Sequence, residues 1–388
     1  MNSLHKDIRP LYYLSRVMGL APFSFIRDAE SGEESIDTNF CSNIGGVIWS
    51  GIVFCVMIAG FIYTKVRYQL DTIMHPGEAV NNAFSFPMNF IIALVALINI
   101  FLNRTKIPKF FDKLNFVDVK LCKYRTKNCY IYMDVIVVLV VFVLTSYDTL
   151  VSEKGLVVIH DIVYRVAYLI GLITVVQFCK LVQLIQRRIE ILKKALCCIL
   201  KDTSYNIKNI RNPESDVEMY SSTKPSIEVE ELNILDLRIA YNNIYEASKV
   251  VTDVYGFPIL LLMIRTSIAL VTNVHGLIWS PDSKFHHSRE DFASLPVWIV
   301  TFLGMLLAMT LSCQMATLES REIADIVQKL LLNSLTNENL QQLTLFSRQL
   351  SINKIEFTAF WFFTVDLSLL CTILASATTY IVILVQFQ

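Results

Sequence analysis

The last ten residues of this 388-residue chain put polar and apolar side chains on one helix face. They read Thr-Tyr, five apolar residues and Gln-Phe-Gln, at the end of a long apolar segment. On an α-helix, Thr379, Ile383 and Gln386 stand at i, i+4 and i+7 and share one stripe, with Phe387 beside it. If this stripe lines an aqueous path, Ile383 supplies an apolar constriction and Gln386 a polar ring that tolerates hydrated cations. The alternative is that Gln386 only reaches water at a membrane surface.

Charged and aromatic side chains are also spaced along the earlier apolar segments. A charge inserted in such a segment is costly unless it faces a cavity or another charge. Asp161, Arg165 and Tyr168 follow one another at roughly one-turn spacing, and Arg165 could pair with Asp161 or Asp148. Arg265 lies nearer the middle of its own segment. These residues could recognise a ligand inside a helix bundle. The alternative is that a buried Arg–Asp pair only holds two helices together.

Seven long apolar runs must position these residues. The chain is 54% hydrophobic with a mean hydropathy of +0.49, and its apolar residues are gathered into segments close to the length that spans a bilayer. The sequence therefore predicts an all-α membrane protein with seven transmembrane helices. The predicted spans are 43–64, 82–102, 130–150, 159–185, 254–279, 295–316 and 365–387.

The distribution of Lys and Arg predicts the orientation of these helices. Alternate flanking segments carry 26 basic residues on one side and five on the other. Because basic residues favour the cytoplasmic side, we expect a cytoplasmic N-terminus and an extracellular C-terminus. The outer half of the bundle then holds our predicted ligand-binding residues, which are Tyr147, Asp148, Asp161, Tyr164, Arg165, Tyr168, Asn273, Trp298, Thr301 and Phe302. Six others lie at the same level, namely Phe86, Asn89, His160, Thr272, His275 and Trp279.

Several other protein classes fit less well. A G-protein-coupled receptor has the opposite orientation, and no Asp-Arg-Tyr or Asn-Pro-x-x-Tyr motif occurs at the ends of the third and seventh spans. A transporter would show repeats or paired broken helices. No phosphate loop, nucleophile elbow or metal-ligand spacing indicates an enzyme, a cofactor or a metal. His286-His287 reads as solvated loop, and a net charge of zero gives no sign of nucleic-acid binding.

Three patches of sequence resemble the insect gustatory receptors, within the insect chemoreceptor superfamily. The most specific is Thr379-Tyr380, five apolar residues and Gln386-Phe387. The segment from Pro10 to Phe23 and the triplet that begins at Glu319 are weaker matches. The resemblance implies a ligand-gated, non-selective cation channel in the plasma membrane of sensory neurons, assembled as a tetramer of this chain alone or together with other gustatory receptors. It also implies that the seventh helices line a central pore, with Ile383 and Gln386 at the gate.

The resemblance further implies a small-molecule tastant bound among the second to sixth helices. Trp298 is the strongest single candidate, since sugar-sensing relatives carry a tryptophan near this position. Leu295, one turn earlier, replaces a polar side chain of those relatives and weakens a sugar assignment. Aromatic faces suit both sugar rings and planar bitter compounds. We favour a bitter or other plant compound, with a sugar as the alternative.

Amphipathic segments on the inner side complete the predicted organisation. The fourth helix should continue as a basic helix, followed by a flexible loop at 202–230 and a helix at 231–253 with Leu235, Ile239 and Ile244 on its apolar face. These helices either meet neighbouring subunits, which the resemblance favours, or lie on the inner leaflet. The predicted regions are an N-terminal segment 1–42, helices one to four at 43–185, a cytoplasmic extension at 186–253, helices five and six at 254–316, assembly helices at 317–364 and the pore helix at 365–388.

Overall fold

The computed structural model describes most of the chain. The described ranges are 3–22, 24–27, 34–37, 44–70, 76–121, 158–211, 233–279, 289–332 and 337–386, together with helical positions 138, 140 and 143. The predicted third span at 130–150, including Tyr147 and Asp148, therefore lies almost wholly outside the described residues.

Helices make up nearly all of the described chain, which confirms the all-α class. They are α1 Ser3–Val17, α2 Ile44–Leu70, α3 Pro76–Leu102, α4 Lys106–Lys120, α5 Val158–Arg211, α6 Ile234–Trp279, α7 Arg289–Leu332, α8 Asn337–Ile352 and α9 Leu367–Gln386. Two small antiparallel hairpins accompany them, formed by β1 Ser24–Arg27 with β2 Glu34–Asp37 and by β3 Thr358–Ala359 with β4 Phe363–Thr364.

Four described helices are long and apolar enough to cross a membrane. These stretches are Ile44–Tyr63, Ile162–Lys201, Ile234–Ile278 and Leu295–Leu332, and a shorter apolar helix covers Leu367–Ile383. A fifth candidate joins Pro87–Leu102 to Lys106–Lys120 through a 66° bend. Six of the seven predicted spans thus coincide with helices of the described residues.

Polar residues cause the bend between α3 and α4. The apolar run stops at Leu102, and Asn103 donates its side-chain amide back to the carbonyl of Asn99 at 3.0 Å. The backbone amide of Lys106 then donates to the Asn103 carbonyl at 2.9 Å, which closes a tight turn. This polar end matches the predicted inner limit of the second span.

The predicted helical extensions of α5 and α6 are both found, and that of α5 is longer than predicted. α5 runs to Arg211, so residues 202–211 of the loop predicted at 202–230 are helical, and α6 runs without a break from Ile234. The predicted apolar face of the 231–253 helix is partly wrong because Ile239 is exposed. The buried face is instead Leu237, Ala240, Tyr241, Ile244 and Ala247.

α5 is the central helix of the bundle. Every position from 167 to 176 is buried, and the helix packs against α3, α6 and α7. A helix that is apolar on all sides must lie inside a bundle. α2, by contrast, leaves Ile48, Ile52 and Val56 exposed along one side. Such an apolar outer surface suits contact with lipid.

Matched polar contacts hold the predicted inner half together. Arg188 of α5 is 4% exposed, and its Nε and Nη2 donate to the two carboxylate oxygens of Asp118 at 3.0 and 2.6 Å. Its Nη1 donates to the Leu184 carbonyl at 3.1 Å. The Tyr241 hydroxyl of α6 donates to the Asn353 carbonyl, just after α8, at 2.7 Å, and its ring packs against Phe346.

A strained hairpin links α8 to α9. Phe360 and Trp361 have positive φ angles of 49° and 64°, a region that large L-residues rarely occupy. The backbone of Gly256 on α6 faces this turn so closely that a Cβ there would lie 2.9 Å from the Phe360 nitrogen. Asp366 then starts α9, because its Oδ1 accepts the Leu369 amide at 2.9 Å. The hairpin and α6 together therefore fix where the last helix begins.

Candidate functional site

Three aromatic side chains from α5 and α7 meet in the predicted outer half. Trp298 and Phe302 lie one turn apart on α7, and their rings stack at 5.6 Å with an interplanar angle of 24°. Tyr168 of α5 meets Trp298 edge to face at 5.4 Å and 81°. Tyr168 and Phe302 are buried with Ala269 of α6, while Trp298 packs against them from a half-exposed position. The structure therefore brings three of the predicted ligand-binding residues together.

Arg265 lies against this ring cluster, and the sequence reasoning left it out of the ligand set. It stands one turn before Ala269 on α6 and is 3% exposed. Its guanidinium carbon lies 5.1 Å from the centre of the Tyr168 ring and 4.8 Å from that of Phe302. The signal that could have found it is its charge in a long apolar run, since an ionisable residue inside a membrane segment indicates function by default.

The Arg265 guanidinium carries donors that find no acceptor in the described part of the chain. Its Nε is buried without a hydrogen-bond partner there. Aromatic faces attract the positive charge, but they do not replace the in-plane acceptors that five N–H groups require. This is a polar group placed in an apolar site with its bonding capacity unused.

The polar side chains predicted to bind ligand beside the rings donate hydrogen bonds to backbone carbonyls of their own helices. Thr301 donates to the Val297 carbonyl at 2.8 Å, and Asn273 donates to the Ala269 carbonyl at 2.6 Å. Tyr168 directs its hydroxyl to the sulfur of Met305 at 3.9 Å. Apart from those of Arg265, free donors near the rings are therefore few, which suits a largely apolar ligand better than a sugar.

The other predicted ligand contacts are described only in part. Tyr164 and Arg165 are half-buried on α5, one turn before Tyr168. The side chain of Asp161 lies outside the described residues, as do Tyr147 and Asp148. The pairing predicted for Arg165 with Asp161 or Asp148 stays a prediction.

The predicted outer ends of α6 and α7 are less tightly packed than the ring cluster beneath them. Every position from 271 to 277 on α6 is half-exposed, as are Leu295, Val297, Trp298 and Ile299 on α7. The two helices approach each other at Gly276, where an added Cβ would be 3.6 Å from Leu295. The less tightly packed ends of α6 and α7 thus lie beside a buried cluster of Tyr168, Ala269 and Phe302.

The predicted pore stripe lies on the open side of α9. Thr379, Ile383 and Gln386 are all exposed, whereas Leu370 and Ala377 are buried against the rest of the bundle. Contacts of α9 are made with α6 and α7. Phe387 lies outside the described residues. One face of this helix is thus packed within the chain, and the face that carries the stripe is free of it.

A pocket among the described residues lies in the predicted inner half, between α1, α4, α5 and α6. Its lining is mostly apolar and includes Ile8, Leu11, Ile107 and Phe111. The polar groups at its wall satisfy one another, because Tyr255 donates to Gln177 at 3.3 Å and Gln177 donates to Ser15 at 2.7 Å. This pocket therefore resembles a packing defect beside a completed hydrogen-bond chain. Elsewhere in the described residues, no cluster of three or more His, Cys, Asp or Glu side chains forms a metal site.

Comparisons with known proteins converge on one family. The sequence model described as "7tm Chemosensory receptor" matches residues 8–388. Gustatory receptor 28b of Drosophila melanogaster is 22% identical over 426 residues, covering 99% of this chain and 86% of that protein. Gustatory and pheromone receptor 32a of the same species is 24% identical over 148 residues, covering 38% of this chain and 32% of that protein.

Solved structures show the same fold. The insect olfactory receptor OR5 from Machilis hrabei superposes with a TM-score of 0.69 at 14% identity, covering 100% of this chain and 99% of that chain. The structure of the same receptor in complex with eugenol gives a TM-score of 0.69 at 15% identity over 100% of this chain and 99% of that chain.

Proposed function

This chain belongs to the insect chemosensory receptor family, and on that premise we propose that it is a tastant-gated, non-selective cation channel. The observation that carries the proposal is the cluster of Tyr168, Trp298 and Phe302 beside the less tightly packed outer ends of α6 and α7. Aromatic walls with few polar groups are typical of small-molecule sites. The ligand-binding role of each residue in the predicted set belongs to this proposal.

The ligand is a small ring compound of plant origin rather than a sugar. A receptor of the same fold has been solved with eugenol, which is a small aromatic phenol. Stacked and edge-on rings at 5.4 to 5.6 Å offer the geometry that aromatic groups prefer. Thr301 and Asn273 already donate their hydrogens within their own helices, so the site offers little to a polyhydroxylated sugar.

The conducting path runs along α9 in a tetramer of this chain. The stripe of Thr379, Ile383 and Gln386 is exposed on a single subunit. Four copies would bring these stripes to a common axis, with an N-terminus inside the cell and α9 ending outside it. Ile383 then closes the path by dewetting, and Gln386 and Phe387 flank it. The opposite face of α9 stays packed on α6 and α7.

Whole-cell recording tests this proposal directly. The chain is expressed alone in cells, plant phenols, bitter compounds and sugars are applied, and current is recorded with G-protein signalling blocked. We expect a ligand-evoked cation current that persists under the block. A current that vanishes with the G protein would instead identify a seven-helix G-protein-coupled receptor.

A substitution in the stripe tests the pore. Gln386→Ala should change the relative permeability to cations of different size while surface expression is kept, because it removes the polar ring. Thr378→Ala is the matched control, since Thr378 is also exposed on α9 but lies about 100° around the helix from Thr379. Equal permeability in both variants would place the conducting path elsewhere.

A further inference from the structure

Two buried arginines in this chain differ in what they bind. Arg188 is matched by the carboxylate of Asp118 and by a backbone carbonyl. Arg265 is equally buried, yet its only described interactions are with the faces of Tyr168 and Phe302. A buried charge without a counter-ion is strongly unfavourable, so such a residue persists where a function requires it.

Carboxylates are missing from the surroundings that the structure describes. The membrane-spanning stretches among the described residues, at 44–63, 87–102, 162–185, 254–279, 295–316 and 367–386, contain no Asp or Glu. The contacts described for Arg265 are with the rings of Tyr168 and Phe302, and the Tyr168 hydroxyl is directed to the sulfur of Met305. The described part of the fold thus encloses a cation and supplies no anion for it.

We propose that the missing partner is the ligand itself, and that Arg265 selects small planar ring compounds with a carboxylate or conjugated carbonyl oxygen. This inference rests on the proposed function, since it uses the same ring cluster as the binding site. The flat part of the ligand packs on Trp298 and Phe302, and its oxygen accepts hydrogen bonds from the guanidinium. An arginine is the side chain best suited to this task, because its planar fork can bind a carboxylate through two parallel bonds.

The same geometry rejects cationic ligands. A protonated amine of equal size would bring a second positive charge beside Arg265 in a site of low polarity, where repulsion is weakly screened. Alkaloid-like bitter compounds that are protonated at neutral pH therefore bind poorly. The charge of the ligand, as well as its ring, decides recognition.

Binding to purified receptor tests the inference without relying on current. The probes are cinnamate, cinnamamide, cinnamyl alcohol and cinnamylamine, which share one ring and differ in the terminal group. Thermal unfolding of the detergent-solubilised receptor gives the affinity of each probe. We expect cinnamate and cinnamamide to raise the melting temperature of the wild type at concentrations where cinnamylamine does not.

Variants at Arg265 separate ligand recognition from structure. Arg265→Met should weaken binding of cinnamate by about 10- to 100-fold, the range expected for loss of a charge-assisted hydrogen bond. Arg238→Met removes a half-buried arginine of the same helix that lies far from the rings, where its Nη1 donates to Gln342 at 3.2 Å, and this variant should keep wild-type affinity. The ligand-free Arg265→Met receptor should melt at or above the wild-type temperature, because a thioether replaces a buried charge that has no counter-ion among the described residues.

Three results would overturn the inference. They are a large drop in the melting temperature of ligand-free Arg265→Met, equal affinity for cinnamate in Arg265→Met and wild type, and failure of both acceptor-bearing probes to bind the wild type. Failure of the channel proposal looks different. If probes bind in a manner that depends on Arg265 but evoke no current, the channel proposal is refuted and this inference stands. If the probes evoke a current that does not depend on Arg265, the channel proposal stands and this inference is refuted.

Discussion

Two buried polar side chains, one in each half of the bundle, have opposite surroundings. In the predicted inner half, Arg188 has a bidentate carboxylate partner, and the Tyr241 hydroxyl bonds to the chain after α8. In the predicted outer half, Arg265 lies between two rings with donors unused among the described residues. The comparison teaches that the same kind of residue can hold a structure together at one level and wait for a ligand at another.

This division has an energetic basis. A completed polar network resists change, because breaking it leaves an uncompensated buried charge. An incomplete one favours any molecule that completes it. The inner half should therefore control stability and assembly, and the outer half should control recognition. Each of the following predictions can break or sharpen that separation.

The largest effect is expected for Asp118→Ala. The substitution leaves Arg188 buried without its carboxylate and should cost about 3–5 kcal/mol of unfolding free energy. Asp236→Ala is the control, because the Lys120–Asp236 pair at 3.2 Å is partly exposed and is worth at most about 1 kcal/mol. Thermal unfolding and surface expression measure both. Adding Arg188→Met to Asp118→Ala should recover much of the loss, and a double variant no better than the single one would show that the pair is not the cause.

A smaller loss is expected at the junction of α6 with the hairpin before α9. Gly256→Ala would place a Cβ 2.9 Å from the backbone nitrogen of Phe360, where no flexible side chain can move away. The overpacking should cost about 1–3 kcal/mol and displace the start of α9. Gly304→Ala adds a Cβ with no atom within 4 Å and should stabilise α7 by up to about 1 kcal/mol. Equal melting temperatures for the two variants would contradict the close approach.

Trp298→Ala should affect recognition more than stability. Loss of the stacked and edge-on contacts should raise the half-activating ligand concentration by about tenfold, equivalent to about 1.4 kcal/mol. Because Trp298 is half-exposed, the melting temperature should change much less than in Asp118→Ala. Dose–response currents and thermal unfolding of one preparation give both values. A Trp298→Ala receptor with a much lower melting temperature and an unchanged half-activating ligand concentration would contradict the separation of roles between the two halves.

The smallest effect is expected for Tyr241→Phe. It removes one buried hydrogen bond of 2.7 Å to the Asn353 carbonyl while keeping the ring on Phe346, so the cost should be about 1 kcal/mol. Tyr13→Phe is the control, since Tyr13 is exposed on α1. Ligand sensitivity should be unchanged in both. A shift in the dose–response curve of Tyr241→Phe would show that the inner contacts also tune recognition.

The sequence predicts the apolar framework well, because hydropathy reports burial in lipid or in the core directly. The first span was predicted at 43–64 and is found at Ile44–Tyr63. The family resemblance drawn from Thr379, Tyr380, Gln386 and Phe387 is confirmed by the match to the whole receptor family. Tyr168, Trp298 and Phe302 were all in the predicted ligand set and are found in contact.

The features that the sequence does not predict depend on tertiary contacts, about which hydropathy carries no information. α5 continues as a helix to Arg211, ten residues into the segment 202–230 that its polar composition predicts to be a loop. Ile239 is exposed and the smaller Ala240 is buried, since the rotation of α6 is set by packing against its neighbours. The turn at Phe360 and Trp361 carries no glycine or asparagine that would predict positive φ angles. The sequence predicts only the depth of Arg265 along its apolar segment. Its contacts with the Tyr168 and Phe302 rings depend on how α5, α6 and α7 are rotated about their axes.

The length of α5 has a mechanical consequence. This 54-residue helix contains no proline and is held near its middle by Arg188, whereas Tyr168 lies 20 residues closer to the loosely packed end. The distance between them is about 30 Å along the helix axis, so a tilt of about 2° about the held point moves Tyr168 by about 1 Å. The helix is thus a lever with its fulcrum in the rigid half. A tilt too small to disturb the Arg188–Asp118 pair is large enough to open the contact between Tyr168 and Trp298.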